Sequence, residues 1–228
     1  QEIMAYFKNA ELWEAYGSTE GGLGTLLRPE DQFSKLSSIG KEIFGTDRIR
    51  LLDDQGNEVP DGEAGELYTR APCRFGEYLK DPGKTREVFS GEWFTAGDMA
   101  RRDKDGYLTL VDRKANMIIT GGENVYPSEV ENVLRSHRAV SEAAVIGVPD
   151  QKWGEAITAV VVLHQGFEPS TELARGIMDF CRGKIAGYKR PKQVEFIEEE
   201  AMPRTATGKI LHRVLKTELI RKGETDTA

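Results

Sequence analysis

The chain has 228 residues, 39% hydrophobic and 30% charged, with a formal net charge of -7 at pH 7. This is enough apolar material for one large or two ordinary cores, and the acidic, sign-mixed charge argues against a nucleic-acid partner, which needs clustered Lys and Arg. Cys73 and Cys181 lie far apart with no CxxC spacing, so neither a zinc site nor a disulfide framework is indicated and a reducing cytoplasm fits best. The longest apolar runs, 143–148 and 159–163, are too short to span a bilayer, so no transmembrane segment is expected. Because Gln1 is neither an initiator Met nor part of a secretory signal, the sequence is expected to be a piece of a longer polypeptide.

In chain order, Tyr16-Gly17-Ser18-Thr19-Glu20 followed by Gly21-Gly22 forms the first punctuated stretch, a turn by composition. From 47 to 70 the pattern is antiparallel: a strand at 49–52, a turn at 53–57, and a strand at 65–68 after Pro60-Asp61-Gly62. A short helix follows at 82–88, then Trp93-Phe94, a turn at Gly97-Asp98 and a strand at 106–111, making a small barrel or bent sheet of residues 1–114. Beyond Arg113 the pattern becomes βα. A strand at 117–120 and a Gly121-Gly122 turn lead to Pro127 at a first helical position, with Val130, Val133 and Leu134 at helical spacing. Strands at 143–148 and 156–163, a helix with Leu173, Ile177 and Phe180 on one face, a strand at 193–197 and a helix carrying Leu211, Val214, Leu215 and Leu219 complete a compact domain over 115–228. The polar end, 223–228, is expected to fray. The fold class is α+β in two domains.

Several residues could carry chemistry. Lys209 follows Gly208 in Pro203-Arg204-Thr205-Ala206-Thr207-Gly208-Lys209 and precedes an amphipathic helix, whose dipole and unpaired N–H groups would add to its charge toward an anion. It is not a Walker A loop, since Pro203 replaces the first glycine and Ile210 the Ser or Thr. Taken alone, Gly-Lys also describes a solvated lysine at a helix end. Thr19 offers a hydroxyl to phosphate and Glu20 a hard carboxylate to Mg²⁺, which takes oxygen ligands. The same residues are common in plain loops. Asp98 could accept both hydroxyls of a ribose, and Arg113 is a fork of donors, against the alternatives of a turn aspartate and a surface ion pair. Gly121-Gly122-Glu123-Asn124 reads on its own as a hairpin turn. His137, His164 and His212 show no nucleophile at a recognisable spacing, so a hydrolytic triad is not supported.

Five segments, in this order, resemble the adenylate-forming superfamily of acyl- and aryl-CoA synthetases, adenylation domains and luciferase. The matching stretches are 16–20, Trp93-Phe94-Thr95-Ala96-Gly97-Asp98, Asp112-Arg113-Lys114, the run from Ile119 through Thr120-Gly121-Gly122-Glu123-Asn124-Val125-Tyr126-Pro127 to Glu131, and 203–209, so the likeness covers nearly the whole chain. It implies an ATP-dependent acid-thiol ligase: an acid attacks the α-phosphate of ATP to give an acyl-adenylate, and the thiol of coenzyme A then displaces AMP. Residues 1–114 would end the large domain and 115–228 would be a mobile C-terminal domain. The resemblance places Tyr16, Gly17, Ser18, Thr19, Asp98, Arg113, Gly121, Gly122 and Glu123 against ATP, AMP or coenzyme A. It makes Glu20 a Mg²⁺ ligand and Lys209 the cation at the α-phosphate. Much of the nucleotide cradle and acyl pocket would lie upstream, so the fragment alone is not expected to be active. The glycine-rich run resembles CoA synthetases more than carrier-loading adenylation domains. The other alternative is a non-catalytic nucleotide-binding module. One departure is Ala115, where the family usually carries Asp or Lys at the swivel.

Overall fold

The computed structural model describes residues 5–225, with side chains up to Lys222. It divides into two compact units, Gln1–Lys114 and Ala115–Ala228. Among the described residues no helix is long and apolar enough to cross a membrane.

Unit 1 is an antiparallel sheet with strand order β1-β2-β3-β8-β7-β5-β4 and β6 paired to β7. The strands are β1 (Glu14–Ser18), β2 (Gly22–Leu27), β3 (Ser38–Glu42), β4 (Arg50–Leu52), β5 (Ala64–Thr69), β6 (Phe89–Ser90), β7 (Trp93–Arg102) and β8 (Leu108–Arg113). It is the barrel-like layer expected, left open because β1 and β4 are not paired to each other. A short helix, α1 (Pro82–Val88), falls where Pro82 predicts it: the Asp81 side chain accepts the Lys84 N–H at its N-terminus. Inward residues Ile49, Leu51, Leu67, Ala100 and Leu108 form the core.

Two expectations for this unit are corrected. Gly97-Asp98 is not a turn but the middle of the ten-residue strand β7. Gly97 takes a left-handed φ of 78°, and the pairing slips against β5 between Glu66 and Tyr68 and against β8 between Met99 and Ala100. The glycine thus marks a bulge within a strand, the other structure that positive φ permits. The strand expected at 106–111 begins instead at Leu108, because Asp103 Oδ1 accepts the N–H of Asp105 and of Tyr107 and holds 103–107 as a turn.

In unit 2 the sheet order is β10-β9-β12-β11, with β13 beside β12. Its elements are β9 (Ile118–Thr120), β10 (Glu123–Val125), α2 (Pro127–Arg135), β11 (Val140–Asp150), β12 (Gly154–Leu163), α3 (Thr171–Phe180), β13 (Gln193–Phe196) and α4 (His212–Thr225). β11 and β12 form a long antiparallel hairpin, and β13 runs parallel to β12. Side chains alternate between the two faces of a strand, and here both faces are buried. Ala143, Val145, Ile157, Ala159 and Val161 pack against Val130 and Leu134 of α2 and Ile177 of α3. Ala144, Ile146, Val160 and Val162 pack with Met202 and with Leu215 of α4. A sheet covered on both faces reads as a near-continuous apolar run. The expected fraying of 223–228 meets the edge of the described region: α4 extends through Thr225, and 226–228 lie outside the described residues.

Candidate functional site

In unit 1 the turn between β1 and β2 presents Ser18, Thr19 and Glu20. A Cβ on Gly17 would lie 2.3 Å from the Gly22 carbonyl oxygen, so this close pairing admits only glycine. Ser18 Oγ accepts the Gly21 N–H at 2.8 Å, which closes the turn, and Thr19 is left exposed. The half-buried Glu20 accepts a hydrogen bond from Tyr78 Oη at 2.9 Å through Oε1, while its carbonyl accepts the Phe75 N–H at 2.8 Å. Its second carboxylate oxygen remains for a hard cation. One such oxygen suits Mg²⁺, which binds through one or two carboxylates and otherwise keeps water and phosphate ligands.

Tyr16 of β1 meets Asp98 of β7 and Arg113 of β8, although only β7 and β8 are neighbours in the sheet. Tyr16 Oη donates to Asp98 Oδ2 at 2.6 Å, and Arg113 Nε lies 2.7 Å from Asp98 Oδ1. A further Arg113 N–H reaches the Ala96 carbonyl at 2.8 Å. Asp98 and Arg113 are paired residues of β7 and β8, so the contact follows from register. Burial first, then the hydrogen bond and charge of Asp98, push the Tyr16 phenol far above its usual range against a smaller opposing effect of Arg113. Tyr16 is therefore a fixed donor at ordinary pH. Each carboxylate oxygen keeps a second acceptor site, the arrangement needed to take two vicinal hydroxyls.

The Lys209 loop of unit 2 differs from expectation. Helix α4 begins at His212, three residues after the lysine. The Lys209 N–H is not an unpaired helix donor either, because it bonds to Thr205 Oγ1 at 3.1 Å. Residues 204–210 form a small hairpin. Arg204 and Ile210 bridge, the Thr205 N–H meets the Lys209 carbonyl at 2.8 Å, and the Gly208 N–H meets the Thr205 carbonyl at 2.9 Å. Arg204 bonds to the Gly208 carbonyl at 3.1 Å and pairs with Glu142 of β11. Competing side-chain and turn bonds thus capture the segment before the helix can start. The lysine is presented by a locked loop rather than by a helix terminus. Its side chain is exposed and has no hydrogen-bond or ion-pair partner among the described residues.

The start of α4, just past this loop, is tied to the core by a buried carboxylate that sequence reading did not single out. Glu131 Oε1 accepts the Val145 N–H at 2.9 Å and meets His212 Nε2 at 2.7 Å, while Oε2 pairs with Arg135 at 3.0 Å. The sequence named Glu131 only as the end of the 119–131 run; its place next to Val130 on the inner side of α2, where a lone glutamate needs partners, was the unused signal.

The hairpin β9-β10 turns through Gly121 and Gly122 at φ 60° and 84°, with Thr120 opposite Glu123. Two positive φ values in a two-residue loop are what a type I′ turn requires. The Gly121 N–H bonds to the Trp153 carbonyl at 2.8 Å, and a Cβ there would meet the indole at 3.1 Å, whereas Gly122 faces open space. Trp153 is thus the packing feature under this turn, and Glu123 is exposed beside it.

Comparison with known proteins matches residues 1–79 to the AMP-binding enzyme family and residues 129–209 to the AMP-binding enzyme C-terminal domain. The chain belongs to the AMP-binding, adenylate-forming enzyme family. It is 42% identical to a long-chain-fatty-acid–CoA ligase of Yersinia pestis over 95% of this chain and 37% of that protein. The structure of o-succinylbenzoate CoA synthetase from Bacillus subtilis with its acyl-adenylate intermediate aligns with a TM-score of 0.81 at 35% identity, over 94% of this chain and 43% of that one. The same synthetase with ATP and magnesium ion aligns at 0.79 and 34% identity, again over 94% of this chain and 43% of that one. The chain therefore spans about two fifths of the length of the relatives it matches.

Proposed function

We propose that this AMP-binding chain is the C-terminal part of an ATP-dependent acyl- or aryl-CoA ligase of the cytoplasm, working with an upstream portion of the same polypeptide. A carboxylic acid oxygen attacks the α-phosphorus of ATP, the bond to the bridging oxygen breaks, and pyrophosphate leaves. The sulfur of coenzyme A then attacks the acyl carbon of the adenylate and expels AMP. In the first step Lys209 meets the charge developing on the α-phosphate oxygens, Thr19 donates to phosphate, and Asp98 accepts the ribose hydroxyls while Tyr16 and Arg113 hold its carboxylate. Glu20 would hold Mg²⁺, which supplies charge neutralisation at the phosphates when bound. Gly17 and Ser18 shape the turn that presents Thr19 and Glu20. In the second step Gly121 and Gly122, with Glu123 beside them, leave room for the pantetheine arm.

The observation that carries this reading is the exposed ammonium of Lys209 on a loop whose every backbone turn is fixed. A cation held without reorganisation at a site of developing negative charge lowers the barrier by about 3 to 4 kcal/mol. In the complete enzyme, Lys209→Ala is expected to slow ATP–pyrophosphate exchange by roughly hundreds-fold while leaving thioester formation from supplied acyl-adenylate intact. Exchange near the wild-type rate overturns the assignment. The second step has its own test at Gly122. Any side chain there strains the turn, so Gly122→Ala measures strain alone; Gly122→Leu is expected to add a selective block of thioester formation. Equal loss in both half-reactions for Gly122→Leu would refute the thiol passage.

A further inference from the structure

The bulge that carries Asp98 is held by a second set of contacts. The Gly97 N–H, turned out of the sheet ladder by its left-handed φ, bonds to Thr95 Oγ1 at 2.9 Å. Thr95 Oγ1 in turn donates to Glu66 Oε1 at 2.9 Å, and Glu66 Oε2 accepts from Lys114 Nζ at 2.9 Å. Lys114 is also paired with Asp54 at 2.7 Å. Glu66 and Thr95 are buried, with 8% and 5% of their surface exposed.

The direction of these bonds is forced. A carboxylate paired with a lysine is acceptor-only, so the single Thr95 hydroxyl hydrogen must point to Glu66, and the oxygen is left with only lone pairs to offer. Those lone pairs then receive the Gly97 N–H. Glu66 therefore fixes the rotor of Thr95, Thr95 fixes the Gly97 peptide, and the Gly97 peptide fixes the start of the residue whose carboxylate meets Tyr16 and Arg113. With the Lys114 end of the pair open to solvent, the ion pair adds little net stability, which leaves geometry as the work this group does.

We propose that Glu66, acting through Thr95, is a positioning residue that sets the aim of the Asp98 carboxylate toward the nucleotide sugar. This rests on the reading of Asp98 as the acceptor of the ribose hydroxyls. Glu66→Gln tests it isosterically, because an amide must turn an N–H₂ toward either Lys114 or Thr95. Thr95→Val removes the relay, and Thr95→Ser keeps it.

The measurement is calorimetric binding of AMP and of 2′,3′-dideoxy-AMP to the complete enzyme and to each variant. Wild-type enzyme is expected to prefer AMP. Glu66→Gln and Thr95→Val are expected to weaken AMP about tenfold while leaving dideoxy-AMP nearly unchanged, so the preference collapses, and Thr95→Ser is expected to retain it. If both nucleotides weaken alike, or if the preference survives in Glu66→Gln and Thr95→Val, the positioning role is refuted while the ribose reading stands. If the wild-type enzyme itself shows no preference, the ribose reading of Asp98 fails and this inference falls with it. Should Glu66→Gln not fold, the Thr95 pair decides alone.

Discussion

The two units hold their candidate groups in opposite ways. In unit 1 the side chains expected at the nucleotide are locked to one another: Tyr16 and Arg113 occupy Asp98, and Tyr78 occupies Glu20. In unit 2 the loops are locked and the candidate groups are left free. Arg204 and Thr205 fix the backbone around a Lys209 side chain that has no partner among the described residues, and Trp153 fixes Gly121 beside an open Gly122. The cores differ in the same sense. Unit 2 buries both faces of its sheet in two clusters, whereas the described core of unit 1 is one cluster around Ile49, Leu51, Leu67, Ala100 and Leu108. A group that must receive a ligand repeatedly in one place gains from preset side chains; a group that is delivered gains from a stiff platform and a free tip.

The largest effect that sharpens this contrast is expected in the platform. Leu134 is fully buried between α2 and the sheet, and Leu134→Ala should cost about 2 to 5 kcal/mol through lost burial and a residual cavity. Hydrogen exchange should then accelerate across 115–225 and leave 5–114 unchanged. Acceleration in both regions would show that the units do not keep separate cores and would break the comparison. Next in size is Glu131→Ala, which strands the Val145 N–H and unties His212. A cost of about 1 to 3 kcal/mol is expected, with faster exchange at Val145 and in the first turn of α4. An unchanged Val145 amide would mean that the carboxylate does not anchor the start of α4 to the sheet.

Which of these features the sequence disclosed follows from the range of the interaction involved. Local chemistry was legible: Pro127 opens α2, the Gly121-Gly122 pair makes a two-residue turn, and the apolar runs at 143–148 and 156–163 are strands. The β1-β2 hairpin was not read as strands, because Gly17, Gly21, Gly22 and Gly24 replace the alternating apolar residues by which a strand is recognised, and its pairing comes from tertiary context. Gly97 was read as a turn residue, yet a turn and a bulge demand the same residue; only the neighbours β5 and β8 distinguish them. Lys209 was found as a residue and misplaced as a geometry, since the bond from its N–H to a hydroxyl four residues earlier competes with helix initiation in a way that spacing does not reveal. Glu66, Lys114 and Glu131 were invisible as parts of networks because their partners lie far off in sequence: Glu66 and Lys114 are 48 positions apart, and Glu131 and His212 are 81.

A smaller effect probes the side-chain lock of unit 1. Tyr16→Phe removes the donor to Asp98 Oδ2 and should cost about 0.5 to 1.5 kcal/mol, with the loss confined to unit 1. The same bond has a pH signature. The folded-state pKa of Tyr16 is raised above its unfolded value, so its contribution is fully present below about pH 10 and is lost as pH rises beyond that value toward the folded one. Among the phenols held above the usual range, spectroscopic titration should find one that resists ionisation furthest in the native protein and is missing in Tyr16→Phe. If all native phenols ionise near pH 10, Tyr16 is not locked, and the contrast between the units loses its clearest member.

The smallest effect separates the units on the acid side. In unit 2, burial and then the charge of Arg138 hold the His137 imidazole below its usual value; its Nδ1 accepts the Ala139 N–H at 3.2 Å, and its ring meets Phe180 edge-on. The unfolded chain therefore takes up this proton more readily than the folded one, so the stability of unit 2 should begin to fall as pH drops below about 6.5. In unit 1, burial alone would raise Glu42, but its bonds from Arg102 and from the Ile49 N–H outweigh it and hold the carboxyl below the usual range. That stability is present above about pH 4.3 and lost as pH falls through the folded value. Residue-resolved exchange on acidification should thus loosen unit 2 first, by a modest step that His137→Asn removes, and unit 1 only at lower pH, by a step that Glu42→Gln removes. Loosening of both units in one transition insensitive to His137→Asn would refute the separation.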